Sequence, residues 1–336
     1  MQQNGTILCV LLPFAFGMTA FAAEIAPVAR LQRKPLEKPI LGLETNALNF
    51  QIRSKESDAE FVITYPAGGR EISLPFIPAT GIQVVVEAEV DADAFGTFTY
   101  RYTISAGSNS VQRVQSLIVE YASAIFDVRT PEGWFGAPLS FRSAVHWADV
   151  RTNTFGLGPG KTQSGFMFKA SALTGVEDLA KNGEKHSGFF FHAGSLPGLV
   201  ACYARGHTDL LNFPTEPPVG LMRCLPRLLE DAVLGKTVGP SALPQTCDAR
   251  ELVSRIRSYI KESFAQGWIA EERTFLRFQK QIDEIAVALD ADNRTHARSL
   301  ISRVVADSEI AKQRKELEAE AYALIKYNLQ HVDSLL

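Results

Sequence analysis

The chain has 336 residues, 46% hydrophobic and 21% charged, with 34 basic and 37 acidic side chains for a net charge of −3. That length supports about two domains of roughly 150 residues each. So even a balance excludes the basic field that binding to nucleic acid or an anionic membrane surface requires.

Residues Ile7 to Ala23 form an apolar run that ends in Ala20-Phe21-Ala22-Ala23. Small residues after such a run mark a signal peptide, so residues 1–23 read as one and the mature chain as secreted or periplasmic. The competing reading is an uncleaved anchor, since Gly5 to Ala23 nearly spans the ~30 Å of a bilayer interior. No second membrane span follows. Residues 24–45 read as a linker, because Pro27, Pro35 and Pro39 break any regular period and Arg30, Arg33, Lys34 and Lys38 make it basic.

From Asn46 the apolar residues alternate. Ala47 to Ile52 reads as one strand and Phe61 to Tyr65 as the next, followed by a turn at Pro66 to Gly69 and a strand from Glu71 to Phe76. In Ile82 to Val90 the residues Ile82, Val84, Val86, Ala88 and Val90 share one face. Phe98, Tyr100, Tyr102 and Ile104 do the same in the next strand, and Leu117, Val119 and Tyr121 in the one after. Further short strands at Ala124 to Val128 and Gly165 to Lys169 are punctuated by Gly- and Pro-rich turns. No long helical pattern interrupts residues 46–199, which therefore read as an antiparallel β-sandwich.

Residues 200–247 read as a Pro-rich connector with a short amphipathic piece at Met222 to Val233. An exported chain meets an oxidising compartment, and a bridge between Cys202 and Cys224 would tie this connector, with Cys247 left over. At Asp248 the composition changes: from there to Leu336 there is no proline and one glycine, Gly267. Asp248 and Glu251 form a capping box ahead of Leu252, Ile256, Ile260 and Phe264. A second helix carries Phe275, Phe278, Ile282, Ile285 and Leu289. A third carries Ala297, Leu300, Ile301 and Val304, and a last Leu317, Ala321, Leu324, Ile325 and Tyr327-Asn328-Leu329. No residue in Ala306 to Glu316 marks where the last two divide. One-sided apolar stripes imply a small three- to four-helix bundle over residues 248–336, with a core separate from that of the strands.

Two stretches carry a resemblance. Tyr100-x-Tyr102, Pro131-x-Gly133-Trp134, Pro159-Gly160 with Ser164-Gly165-Phe166, and Leu196-Pro197-Gly198 are similar to β domains of uncharacterised secreted bacterial proteins. The tail, with Gly267-Trp268-Ile269 and Glu318 to Leu329, resembles helical FIVAR/FIMAH-type modules of exported and surface proteins. The resemblance implies an adhesion or spacer role.

Candidate chemistry is sparse. Gly160-Lys161-Thr162 and Gly235-Lys236-Thr237 lack the earlier glycine of a phosphate loop, since Phe155 and Glu230 stand there. His186, His192 and His207 have no metal-ligand spacing, and no Gly-x-Ser-x-Gly elbow accompanies them. Leu243 to Cys247 has Cys247 where a cell-wall sorting motif needs glycine. Glu87, Glu89, Asp91 and Asp93 alternate along a strand and are the candidate ligands for a hard cation such as Ca²⁺, against the plainer reading of a solvated strand face. Trp134, Trp147 and Trp268 could stack on sugars or fill a core. No cofactor motif is found. The function these features imply is non-catalytic binding or adhesion to a carbohydrate or protein outside the cell. The alternative is a secreted hydrolase of glycan or peptide using the Glu87 to Asp93 carboxylates or the histidines from 186 to 207.

Overall fold

The computed structural model describes residues 32–37, 45–55, 60–142, 162–170, 183–208, 211–230, 232–241 and 247–336. Residues 1–31, Trp147, the Gly160-Lys161 pair and Leu243 to Thr246 lie outside the described residues. Thirteen antiparallel strands are described ahead of a C-terminal region of four helices, with one further helix between the last two strands.

The first sheet is a meander of β1 (Thr45–Ala47), β2 (Phe50–Ser54), β3 (Phe61–Ala67) and β4 (Arg70–Phe76). The run from Ala47 to Ile52 is thus two strands and not one: the chain reverses at Leu48-Asn49, and Ala47 pairs with Phe50. Neither glycine nor proline marks that turn in the sequence. Phe50, Ile52, Ile63, Tyr65 and Phe76 of this meander form a small core with Leu221 of helix α1 (Val219–Glu230).

The other two sheets share a larger core. One runs in the order β13-β12-β7-β10-β9, made of β7 (Val114–Glu120), β9 (Trp134–Arg142), β10 (Thr162–Ala170), β12 (Pro197–Gly206) and β13 (Val233–Pro240). The other runs β5-β6-β11-β8, made of β5 (Val84–Ala92), β6 (Phe98–Ala106), β8 (Ile125–Arg129) and β11 (Lys185–Ala193). The stretch read as a connector therefore supplies part of β12, all of β13 and α1, with Pro240 the last residue of a strand at a sheet edge, where a missing N–H is tolerated. Alternation turns Tyr100 and Tyr102 of β6 and Phe189 and Phe191 of β11 inward. Phe191 stacks on Phe168 of β10 at 6.4 Å and 6°, and Phe189 meets the edge of Trp134 on β9 at 4.9 Å. The Tyr102 hydroxyl donates to the Val238 carbonyl of β13 at 3.0 Å, so its buried polar end is satisfied.

The helices are α2 (Ala249–Ala265), α3 (Glu272–Asp290), α4 (Arg294–Gln313) and α5 (Ala319–Leu335). Asp248 caps α2 by accepting from the Glu251 N–H at 2.8 Å. Gly267 follows α2 with φ +73°, and a Cβ there would lie 2.2 Å from the Gln32 carbonyl oxygen, so this position needs glycine twice over. The boundary that the sequence left open falls at Arg314 to Glu318. Lys315 takes a left-handed conformation (φ 57°), and the Glu316 N–H reaches back to Ala311 O at 2.9 Å. Leu317 then bridges to Ile269 in the loop between α2 and α3.

In place of two separate cores, one apolar cluster runs from the facing sheets into the helices. Its centre is α5, whose residues from Glu320 to Leu329 are buried nearly all round and not on a stripe. One flank meets α2 and α4; the other lies across β5 and β12. The sheet-facing flank carries Glu320, Tyr327 and Asn328, polar groups that are buried there. Each finds a partner. The Ala88 N–H donates to Glu320 Oε1 at 2.8 Å, Tyr327 donates to Val90 O at 3.2 Å, and Asn328 donates to Pro197 O at 2.9 Å. Residues 32–37 complete the seam: Leu36 N–H donates to Val84 O, while Glu37 pairs with Leu234 of β13. Val84, Ala88 and Val90 are alternate residues of an edge strand, whose outward backbone groups would otherwise template aggregation. The helix and the 32–37 segment occupy them instead.

Arg33 locks the seam. Its guanidinium donates to both carboxylate oxygens of fully buried Glu320 at 2.5 and 2.9 Å, and to Glu318 at 3.0 Å. Desolvation works against the guanidinium charge, but the pull of the two carboxylates outweighs it, so Arg33 holds its proton even more firmly than usual. Burial pushes the Glu320 carboxyl above the usual range, opposed by Arg33 and the Ala88 amide.

The bridge expected between Cys202 and Cys224 is not formed: Cys202, Cys224 and Cys247 are free. Cys202 on β12 lies in the large core and Cys224 on α1 packs against the small one, so separate clusters hold the two thiols. Burial, with Glu120 adding to it, pushes the Cys202 thiol far above its ordinary range. A thiol reagent applied to the native protein should modify Cys224 and Cys247 and reach Cys202 only in denaturant. Peptide mapping by mass spectrometry reads this; equal native labelling of Cys202 and Cys247 would contradict the placement.

Candidate functional site

The outward face of the β5-β6-β11-β8 sheet carries the most distinctive surface among the described residues. Three consecutive phenylalanines in β11 cannot all face inward in a strand of period two. Phe189 and Phe191 do, and Phe190 points out beside His192. Phe126 of β8, 51% exposed, stacks on the His192 ring at 5.8 Å and 24°. Phe190 meets His192 edge-on at 5.9 Å, and the Arg129 guanidinium lies 5.4 Å from the Phe190 centroid. Two phenyl rings, an imidazole and a guanidinium thus cluster into one platform, with Phe126 stacked on His192 and Phe190 edge-on to it.

A β-bulge builds its polar centre. Phe190 pairs with Arg129 and His192 with Phe126, so Asp127 and Val128 together oppose the single residue Phe191. Asp127 is held at φ 45°, an uncommon conformation for a residue other than glycine. This turns its carboxylate toward His192, with Oδ2 3.4 Å from Nε2. On the other side Thr99 Oγ1 of β6 lies 3.3 Å from His192 Nδ1. Hydroxyl, imidazole and carboxylate line up across three strands.

That alignment has the order of a nucleophile, base and orienting acid. It lacks the oxyanion donors that acyl transfer needs. Thr99 sits in an interior strand, in register with Asp91 on one side and His192 on the other, so the N–H groups near it belong to the ladder. Ser334 and His331, 3.4 Å apart on α5, form no better pair, because the Ser334 hydroxyl donates to the His331 carbonyl at 2.7 Å.

The residues singled out by sequence are dispersed. His186 is near Glu184 (3.6 Å) and Trp134, six residues along β11 from His192 and so about 20 Å away for an extended strand. The His207 N–H donates to Arg113 O at the far end of β12, beside a cleft between the meander and the rest. Glu87 pairs with Lys185 at 2.8 Å and Asp91 with Arg101, while Asp93 Oδ1 accepts the N–H groups of Phe95 and Thr97 in the β5–β6 turn. Glu89, between them on β5, is exposed and opposite Arg101. Among the described residues no three His, Cys, Asp or Glu side chains converge as metal ligands would. Trp134 and Trp268 are buried in the core. Sequence reasoning missed Phe126, Asp127, Arg129 and Thr99. The triplet Phe189-Phe190-Phe191 was the available signal for an aromatic on the solvent side; the bulge that presents Asp127 left none. No described helix is long and apolar enough to cross a membrane. The chain matches no known protein family, no curated protein and no solved structure.

Proposed function

We propose that this is an exported, non-catalytic binding protein that uses the platform of Phe126, Phe190, His192 and Arg129 to engage a carbohydrate or protein ligand outside the cell. In this reading the facing sheets act as a β-sandwich scaffold and the helices as a module of the FIVAR/FIMAH kind, here fused to the scaffold through α5. The observation that carries it is Phe126, a half-exposed ring held flat against an imidazole. An apolar face of that shape is stabilised by stacking against a sugar ring or a partner's apolar side chain, as aromatic anchors at recognition surfaces are. Asp127, Thr99 and Arg129 around it supply hydrogen bonds for specificity. Screening the full chain against glycans and extracellular proteins, with Phe126→Ala in parallel, tests the reading. The substitution should weaken the best ligand by ~10-fold or more, about 1.4 kcal/mol or above, with folding unchanged. Unchanged affinity would remove the platform from the function.

A second reading, a hydrolase of glycan or peptide, draws on the line of Thr99, His192 and Asp127. Ester hydrolysis by the native chain that disappears in Thr99→Ala and in His192→Gln would favour it over binding alone.

A further inference from the structure

We infer that the cleft between the sheet ends and α5 is a second ligand site, shaped for a small neutral saccharide. The cleft measures about 750 Å³ and is walled by the β5–β6 turn, the segments that follow β7, β11 and β13, and the C-terminal turns of α5. That volume lies in the range of small-molecule sites, ~300–1,000 Å³. It opens at the strand ends of the β5-β6-β11-β8 sheet, whereas the platform side chains stand on that sheet's outward face.

The lining chemistry selects the ligand. Ser123, Ser195 and Gln330 present hydroxyl and amide groups that both donate and accept, while the Ser241 hydroxyl donates to Leu196 O at 3.2 Å and His331 Nδ1 lies 3.4 Å from the Ser334 hydroxyl. The Oγ of Ser123 is buried with no hydrogen-bond partner among the described residues. Only Asp93 carries a full charge there, and one oxygen of that carboxylate is taken by the N–H groups of Phe95 and Thr97. An anionic ligand would give up hydration and meet only this like charge. A peptide is disfavoured as well, because the backbone groups it would pair with are spent. Ser195 O accepts from Tyr100 at 2.6 Å, Leu196 O accepts from the Ser241 N–H at 3.1 Å, and the Asp93 N–H donates to Thr97 O at 2.9 Å. What remains is side-chain hydroxyl and amide chemistry over an apolar floor of Phe98, Leu196 and Tyr327. Vicinal hydroxyls on a ring with an apolar C–H face match both. Between the lining residues Ala94 and Gly96, the Phe95 side chain stands 93% exposed on the β5–β6 turn, an aromatic ring within one residue of the cleft wall.

This site does not depend on the platform reading, and the experiment separates the two. Saturation-transfer NMR on the full chain uses methyl α-glucopyranoside and N-acetylglucosamine as probes, with glucuronate and N-acetyl-trialanine amide as the charged and peptide counterparts. The native protein should transfer saturation to at least one neutral sugar. Gln330→Trp, an exposed helix position that can take the bulk without unfolding the chain, and Phe95→Ala should each weaken it by ~10-fold; Phe126→Ala should leave it unchanged. The inference is overturned by no transfer to either neutral sugar, by a preference for the charged or peptide probes, by equal binding in both cleft variants, or by loss in Phe126→Ala, which would move the sugar to the sheet face.

Discussion

Replacing Glu320 with alanine is expected to lower the stability of the whole chain by about 3–5 kcal/mol, the range for breaking a buried ion pair from one side. The loss has three parts. The Arg33 guanidinium, whose side chain is only 18% exposed, keeps its charge and loses its two-oxygen partner. The Ala88 N–H at the β5 edge loses its acceptor. Residues 32–37, which join β5 to β13, are left with only the Arg33–Glu318 pair to hold them to the start of α5. Urea denaturation followed by circular dichroism reads the result. The paired change Arg33→Met with Glu320→Leu should recover most of the loss, because a matched apolar pair has no stranded charge. A single-variant loss below about 1 kcal/mol would show that α5 is held to the sheets by apolar packing alone.

Phe168→Ala should cost a comparable ~3–5 kcal/mol. Phe168 is wholly buried and touches Phe166, Phe189, Phe191 and Tyr102, so its ring links β10 of one sheet to β6 and β11 of the other. Four rigid rings around it collapse poorly into the space it leaves, which puts the loss at the upper end of large-to-small changes. Phe135→Ala on neighbouring β9, where the ring is 44% exposed, should change stability by no more than ~0.5 kcal/mol. Equal effects of the two would mean that the sheets do not share a close-packed interior.

Period was legible in the chain where it was strict. Tyr100, Tyr102 and Ile104 alternate, and so do Val84 to Val90, because a half-buried strand has no other way to sort its side chains. Leu252, Ile256 and Ile260 repeat every fourth residue for the equivalent reason in a helix. Punctuation was legible where glycine carries it: Gly267 ends α2, whereas Leu48-Asn49 and Lys315 turn the chain without glycine or proline. The candidate site was barely legible. His192 stood out as an imidazole, but its neighbours Phe126, Asp127 and Thr99 come from other strands, 65 or more positions away in the chain and brought to it by pairing.

What the amino-acid order by itself determined is a β-rich first part, a helical second part and the faces that must be covered in each, since hydrophobic period is a local property. What only the tertiary structure decided is that the two parts close over one interior. Read alone, α5 does not say which partners Glu320, Tyr327 and Asn328 meet; they are buried where β5 and β12 offer Ala88 N–H, Val90 O and Pro197 O. A polar side chain is buried only where partners satisfy it, and partners remote in the chain have no signature in local sequence.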